Sequence, residues 1–329
     1  MLFTEGIAAQ PNVLAHSAKS LRDALRDLPP SRPGEVIALV GIGASEYVAA
    51  SAAPVWRDQG LRAFSVSASQ LLNTTVMPFA DLYVGLSESG RSTETVAAMG
   101  KFSAARRVGL TNFADSPLVA VVDEALFLDS GPDSPVYTTG YTATLQAIGL
   151  LGEHWSGQAT DWSGLPDMAA TVLTNAAPVV ADLASAFASV RVVDVVASGA
   201  SASTAGEGAL MLRESARLLT ASHETHNYLH GPMEPLDPQT ACVITGDGRE
   251  VRLALETSEL GCPTLLITTR SDISSSKTLT VLTMPRASSP LAQAVLEILP
   301  LQQLAWAVAS DRGLAVDGFR YHQDDTKLS

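Results

Sequence analysis

Residues 86–95 read Leu86-Ser87-Glu88-Ser89-Gly90-Arg91-Ser92-Thr93-Glu94-Thr95. The apolar run before them, Asp81-Leu82-Tyr83-Val84-Gly85, has the character of a buried strand. Val96-Ala97-Ala98-Met99 follows at helical spacing. Hydroxyls and a glycine therefore fall where a strand becomes a helix. The amides of a helix's first turn lack internal partners and point outward, with the positive end of the helix dipole behind them. Hydroxyls, and a glycine that lets the backbone approach, turn such a place into a site for a phosphate dianion. An ordinary N-cap also puts Ser or Thr here. One cap needs one hydroxyl, however, and this turn carries Ser87, Ser89, Ser92 and Thr93, with Thr95 as a weaker candidate.

Outward from this turn the same alternation recurs. Residues 12–28 place Val13, Leu14, Leu21, Leu25 and Leu28 at helical spacing and end at Pro29-Pro30. Residues 35–40 read as a strand that enters Gly41-Ile42-Gly43-Ala44-Ser45-Glu46, then a small-residue helix to about Arg57. Further strands are predicted at 63–66, 82–86, 107–112 and 124–128, and a helix from about Thr139 to Glu153. Strands alternating with helices predict a parallel sheet covered by helices on both faces.

The pattern then returns. A polar connector at 155–164 leads to a helix at 166–187 and a strand at 190–197. That strand enters Ser198-Gly199-Ala200-Ser201, which matches the Gly41–Ser45 turn. Residues 241–248 match 82–90, and 264–269 match 107–112. This is an internal duplication with a period far longer than a solenoid's. The expected architecture is α/β, with two tandem doubly wound parallel sheets of flavodoxin-like, three-layer type, over residues 1–155 and 156–329. The second turn, Thr245-Gly246-Asp247-Gly248, lacks the serines and carries an aspartate. It would repel a phosphate, so only the first half is expected to hold the anion.

Composition sets outer bounds. The chain has 329 residues, 46% hydrophobic and 17% charged, enough to bury two sizeable cores. Its net charge of −13 argues against nucleic acid, whose binding needs clustered Lys and Arg. It also means that an anionic ligand must be held by local dipoles. Cys242 and Cys262 give neither a disulfide framework nor zinc spacing and read as inert core thiols. No metal and no cofactor are expected. The N-terminus has no signal-peptide pattern, and no apolar stretch reads as long enough to cross a bilayer. A cytoplasmic protein without membrane partners is expected.

The motifs in order resemble the sugar isomerase (SIS) family, most closely the isomerase half of glucosamine-6-phosphate synthase and its deglycase and deaminase cousins. The likeness covers almost the whole chain. It rests on the duplicated sheet, the Gly-x-Gly-x-Ser turn and Ser87-Glu88-Ser89-Gly90-Arg91-Ser92. It takes in Glu5 with Gln10-Pro11, Gly131-Pro132-Asp133 through Thr138-Thr139, and Glu207-Gly208-Ala209-Leu210-Met211-Leu212-Arg213-Glu214. His230-Gly231-Pro232 and Leu299-Pro300-Leu301-Gln302 complete it. The glutamine-hydrolysing domain of the synthase is not expected, because Met1 leads directly into the isomerase half. The resemblance implies a sugar phosphate bound by Gly43, Ser45, Ser87, Glu88, Ser89, Ser92, Thr138 and Glu207.

Glu207 and Glu214 fall on one helix face two turns apart. Carboxylates on a largely buried helix are costly without a task or a partner. Arg213 or Arg217 could pair with them, and for Glu207 that structural role is as good as a functional one. The resemblance implies that Glu214 moves the proton between C1 and C2 of the sugar, work suited to a carboxylate whose pKa burial raises. It implies that His230 opens the sugar ring and serves the neighbouring subunit's site, hence a homodimer with shared sites. His223 and His226 lie off the motif and read as bystanders.

The chain departs from the family at three places. Met211 stands where the helix often has lysine, and Glu88 where glutamine is common, adding a negative charge that Arg91 could balance. Aligning Val316-Asp317 with the family's tail sets Arg320 on its arginine and Asp324 on the lysine that forms a Schiff base. An aspartate cannot form an imine. Lys327 lies three residues later and would reach the site only if the tail shifts. These features leave an isomerase, deaminase or deglycase acting at C1–C2 of a hexose 6-phosphate or its amino derivative. A non-catalytic sugar-phosphate sensor is the alternative: the missing lysines favour it, whereas Glu214 and His230 favour the enzyme. Nucleotide binding through Gly41-Ile42-Gly43-Ala44-Ser45 fits poorly, since the third glycine and the acidic residue after the second strand are missing.

Overall fold

β1 (Val36–Gly41) carries Ile37-Ala38-Leu39-Val40, four fully buried apolar residues in succession. Only a strand covered on both faces can bury such a run. In the computed structural model, which describes residues 1–73 and 79–328, β1 lies between β2 (Arg62–Ser67) and β3 (Leu82–Leu86). β4 (Arg106–Thr111) and β5 (Glu124–Phe127) extend the sheet in the order β2-β1-β3-β4-β5, all parallel. This sheet belongs to a compact unit made of Asn12–Asp133, Thr139–Ser163 and the tail from Arg320.

Successive side chains of a strand face opposite ways. Ala38, Val40 and Tyr83 pack with Leu71 of α3 (Ala68–Leu72) and with Val96 and Met99 of α4 (Thr93–Lys101). Gly85 is needed on that face, since a Cβ there would lie 2.8 Å from Met99. Tyr83 stacks on Phe102 with ring centroids 4.7 Å apart, a contact worth about 0.5–1.5 kcal/mol beyond its burial. α2 (Ala44–Asp58) packs on β1, β2 and α5 (Thr139–Ser156). Trp56 of α2 donates its indole N–H to the carbonyl of Ile148. A side chain at Gly152 would strike that indole, so α2 and α5 are held at glycine distance.

The second unit comprises Met1–Pro11, Ser134–Thr138 and Gly164–Phe319. Its sheet repeats the topology. β6 (Val192–Ala197) lies between β7 (Leu219–Glu224) and β8 (Thr240–Thr245), followed by β9 (Thr264–Thr268) and β10 (Leu279–Thr283). α7 (Ala202–Ala216) packs on β6, β7 and α10 (Pro290–Asp311). α9 (Arg249–Glu259) covers β8 and β9, and α6 (Leu165–Ser189) packs along α10. Gly208 permits the close α7–α10 approach, because a Cβ there would fall 2.2 Å from Leu301.

The α/β architecture matches the sequence reading, and several details differ. α1 spans Phe3–Leu25 and passes through Pro11, rather than starting after it. Phe3, Ile7, Gln10 and Leu14 are buried at helical spacing across the proline, and that burial outweighs one lost ladder bond. Two helices, α6 and α10, are long and apolar enough by length and composition to cross a bilayer, which the sequence reading did not recognise. In α10, 78% of that window is buried within the protein, as in the central helix of a layered core. Cys242 and Cys262 are both buried and unbridged.

Candidate functional site

β3 delivers the chain into the hydroxyl turn at full burial: Ser87 is 1% exposed and Glu88 7%. The Ser87 amide donates to the carbonyl of Leu110 and the Gly90 amide to that of Ser87. Gly90 has φ +62°, and a Cβ would sit 2.1 Å from the Ser116 hydroxyl and 2.6 Å from that of Thr111. Only glycine fits this corner. Ser92 precedes α4 without a side-chain cap bond to it. Its Oγ instead accepts from Ser87 Oγ at 3.1 Å. Ser89 Oγ accepts from the Arg91 amide at 3.3 Å. Thr95, in the first turn of α4, is fully buried and its hydroxyl has no hydrogen-bond partner. The serines are thus not spent on capping the helix.

The chain's tail joins this turn. Lys327 forms an isolated antiparallel bridge with Ser92. The Thr93 amide donates to the carbonyl of Thr326, and the Leu328 amide to that of Arg91. Thr93 Oγ1 donates to the carbonyl of Asp325 at 2.8 Å, so the threonine hydroxyl serves the tail. The bridge sets the backbone of Lys327 beside the turn.

β1 and β3 are neighbours, so their turns emerge side by side. Gly43 holds φ +57° just before α2, with no side chain capping the helix, and Ser45 is half-buried in its first turn. On the other side, Asn112 braces the turn. Its Nδ2 donates to Glu88 Oε1 at 3.2 Å and to the Gly131 carbonyl at 2.6 Å, while its Oδ1 accepts from the Ser130 amide. Asp133 accepts from the Gly140 amide at 2.8 Å. A side chain on Gly140 would collide with Glu88 and Asp133. Asn112 had no signal in the sequence beyond its place at the end of a strand.

The other residues of interest lie in the unit of the second sheet. Glu207 is buried on α7 at 2% exposure, and Glu214, two turns on, is half-buried. Arg213 donates to the carbonyl of Thr220 at 2.7 Å. His230 is exposed just beyond the short helix α8 (Thr225–Tyr228), its amide bound to the Asn227 carbonyl, and Gly231 follows with φ +131°. His223 lies 3.8 Å from Asp194, which also accepts from the Tyr228 hydroxyl at 2.7 Å. Thr138 is fully buried, and its carbonyl accepts from Gln302 Nε2. Gln302 Oε1 accepts in turn from Gln10 Nε2 at 2.9 Å. Three motif fragments far apart in sequence are thus one buried chain of amide bonds.

The second turn carries an anion of its own. Asp247 accepts from the Thr268 hydroxyl, from the amide and hydroxyl of Thr269, and from Arg286. Burial pushes its carboxyl up, but the threonine bonds outweigh burial and hold it below the usual carboxylate range.

No protein-family model matches the chain. The glutamine–fructose-6-phosphate aminotransferase (isomerizing) of Thermus thermophilus is 27% identical over 257 residues, 72% of this chain and 42% of that protein. The chain therefore spans about two fifths of the length of the curated relatives it matches. Among solved structures, tagatose-6-phosphate ketose/aldose isomerase from Escherichia coli superimposes with a TM-score of 0.81 at 19% identity, over 98% of this chain and 97% of that one. Glucosamine-6-phosphate deaminase from Thermotoga maritima gives 0.80 at 18% identity, over 98% of each chain. The sequence relationship and the shared double-sheet fold agree with the resemblance to the sugar isomerase (SIS) family.

Proposed function

We propose that the chain is a phosphosugar isomerase-type enzyme acting at C1–C2 of a hexose 6-phosphate or an amino-sugar 6-phosphate. The observation that carries this reading is the turn after β3. Ser87 and Ser92 bond each other rather than cap α4, Gly90 gives close approach, and a buried threonine hydroxyl lies unpartnered in the helix's first turn. Such a turn offers neutral donors and a helix dipole to a phosphate in a chain whose net charge would otherwise repel it. The sequence relationship to an isomerizing aminotransferase supports the same substrate class.

In this reading the phosphate lies on Ser87, Ser89 and Ser92, with Gly43 and Ser45 on the adjacent turn. Glu214 takes the proton from C2 and returns it to C1, or the reverse, while the O2 hydroxyl proton passes to the O1 carbonyl oxygen. One carboxylate suffices for the carbon-bound proton, which is carried along one face of the enediol. His230 protonates the ring oxygen as the ring opens. Its exposure on the single chain supports a role in the site of a second copy, hence a homodimer. Glu207 and Thr138 orient the sugar hydroxyls.

The test is a panel of hexose and hexosamine 6-phosphates screened by thermal shift, then NMR in deuterated water. Stabilisation by one member with deuterium entering at C2 is the expected result. Stabilisation without exchange or turnover would replace the enzyme with a sensor on the same fold.

A further inference from the structure

The parallel strands of the second sheet end in a cavity of about 480 Å³. Its walls are the turns after β6, β8, β9 and β10 and the start of α10. It lies where the strand order reverses, between β6 and β8, the position at which open α/β sheets take small ligands. Its volume falls in the range of small-molecule sites, roughly 300–1,000 Å³.

The charge in this cavity is opposite to what a phosphate needs. Asp247, Glu250 and Glu297 line it, against one guanidinium, Arg286, and no lysine. Arg286 is already bound to Asp247 at 2.9 Å. Glu250 accepts from Ser198 Oγ at 2.8 Å, Thr225 Oγ1 at 2.6 Å and the Gly248 amide. Burial raises its carboxyl, but these bonds outweigh burial and keep it below the usual range. Two carboxylates are therefore held ionised beside the carboxyl group of Glu297, which is 5% exposed and whose pKa burial pushes up to about 7. Among the described residues no group of three His, Cys, Asp or Glu could hold a metal ion. The field in this cavity favours a cation.

The lining also has features of a polyol site. Serine and threonine hydroxyls ring it at Ser198, Ser201, Thr268, Thr269, Ser288 and Ser289. Gln293 lines it too: its Oε1 accepts from the Ala287 amide at 2.8 Å, while its buried Nε2 has no partner. A buried amide N–H without an acceptor costs about 1–3 kcal/mol unless something fills its place. A ligand hydroxyl would do so.

We propose that this cavity binds a polyhydroxylated primary amine without phosphate, of the size of an amino sugar. Its ammonium is held among Asp247, Glu250 and Glu297, and its hydroxyls meet Gln293 and the surrounding serines and threonines. The two sheets then sort their ligands by charge, phosphate on the first and amine on the second. The amine site stands on the second sheet alone, whereas the sorting by charge rests on the phosphate reading of the first.

The experiment is isothermal titration near neutral pH with glucosamine, glucose and glucosamine 6-phosphate. It is run on the wild-type chain and on Ser89→Asp, in which the first turn rejects phosphate. Glucosamine is expected to bind both proteins equally, glucose about tenfold more weakly or worse, and glucosamine 6-phosphate to fail on Ser89→Asp. Glu297→Gln and Asp247→Asn should each weaken glucosamine by about tenfold or more. Arg286→Ala removes an exposed side chain that competes for Asp247, so it should tighten binding without unfolding the protein. No heat with millimolar glucosamine, equal affinity for glucose, loss of glucosamine binding in Ser89→Asp, or weaker binding in Arg286→Ala would each overturn the proposal.

Discussion

Lys327 is paired with Ser92 through an antiparallel bridge that lays the tail across the turn after β3. The lysine three residues out of register with the family's tail is therefore a neighbour of the candidate phosphate site. Its backbone lies beside Ser92, so its ammonium adds to the charge of Arg91 in the same turn.

Lys327→Ala is expected to raise KM for a sugar phosphate by about three- to tenfold while leaving kcat nearly unchanged, the mark of uniform binding lost. Steady-state kinetics on the substrate found by the thermal-shift panel would show it. Trapping of a sugar on Lys327 by borohydride, or a collapse of kcat, would make it a Schiff-base lysine instead.

Ser89→Asp sets a carboxylate against the phosphate and should abolish sugar-phosphate binding by calorimetry, with the fold intact by circular dichroism. Gly90→Ala tests the geometry of the same corner. Its φ of +62° and the close hydroxyls of Ser116 and Thr111 predict a loss of about 1–3 kcal/mol in stability, seen as a lower Tm. Unchanged affinity in the first variant would remove the phosphate from this turn.

Glu214→Gln keeps the side chain's shape and removes the base. Turnover should fall by roughly 10²–10⁴-fold with ligand affinity little changed. Mixing this variant with His230→Ala should restore part of the activity if the histidine serves a second copy's site. A fully active monomer would exclude that arrangement.

Much of this was legible in the sequence because buried strands announce themselves. β1, β3, β6, β8 and β9 are short, nearly continuous apolar runs. β7 (Leu-Thr-Ala-Ser-His-Glu) and β10 (Leu-Thr-Val-Leu-Thr) escaped notice. Each is an edge strand with one partner and half its side chains uncovered, so its composition is that of a loop. The serine turn was visible as a cluster. That Thr93 bonds the tail rather than a ligand was not, because its partner Asp325 lies 232 residues away. The cavity of the second sheet was hidden for a similar reason: Asp247, Glu250 and Glu297 come from separate elements and form a field only once folded. The sequence did show the aspartate that stands in the second turn, Asp247, in place of the serines.

Glu297 makes stability fall as pH rises. Burial pushes its carboxyl up to about 7, with Asp247 and Glu250 adding to the push and bonds from Ser201 and Thr204 opposing it. The folded state thus holds a proton that the unfolded chain releases near pH 4.5. Its contribution is fully present below that value and is lost as pH rises through about 7. Urea titrations across this window should show a decline that Glu297→Gln, which is always neutral, largely removes. Identical slopes in the two proteins would show that Glu297 is ionised throughout.

Gln302→Leu takes away the acceptor of Gln10 Nε2 at a site where both residues are fully buried. A loss of about 1–3 kcal/mol is expected. Gln10→Leu combined with Gln302→Leu should cost less than the sum of the single changes, because neither amide is then left facing an apolar partner.

The bond from Thr93 to Asp325 also bears on how the chain reaches its final form. Most contacts of the first sheet join strands within one stretch of sequence, and such pairings assemble early. The tail reaches that sheet across 232 residues, a closure whose entropy is recovered only after the chain between has condensed. During refolding, secondary structure should therefore recover ahead of the last step at the turn. A chain halted before that step would have its sheets formed, with the Thr93 amide and hydroxyl still open to water.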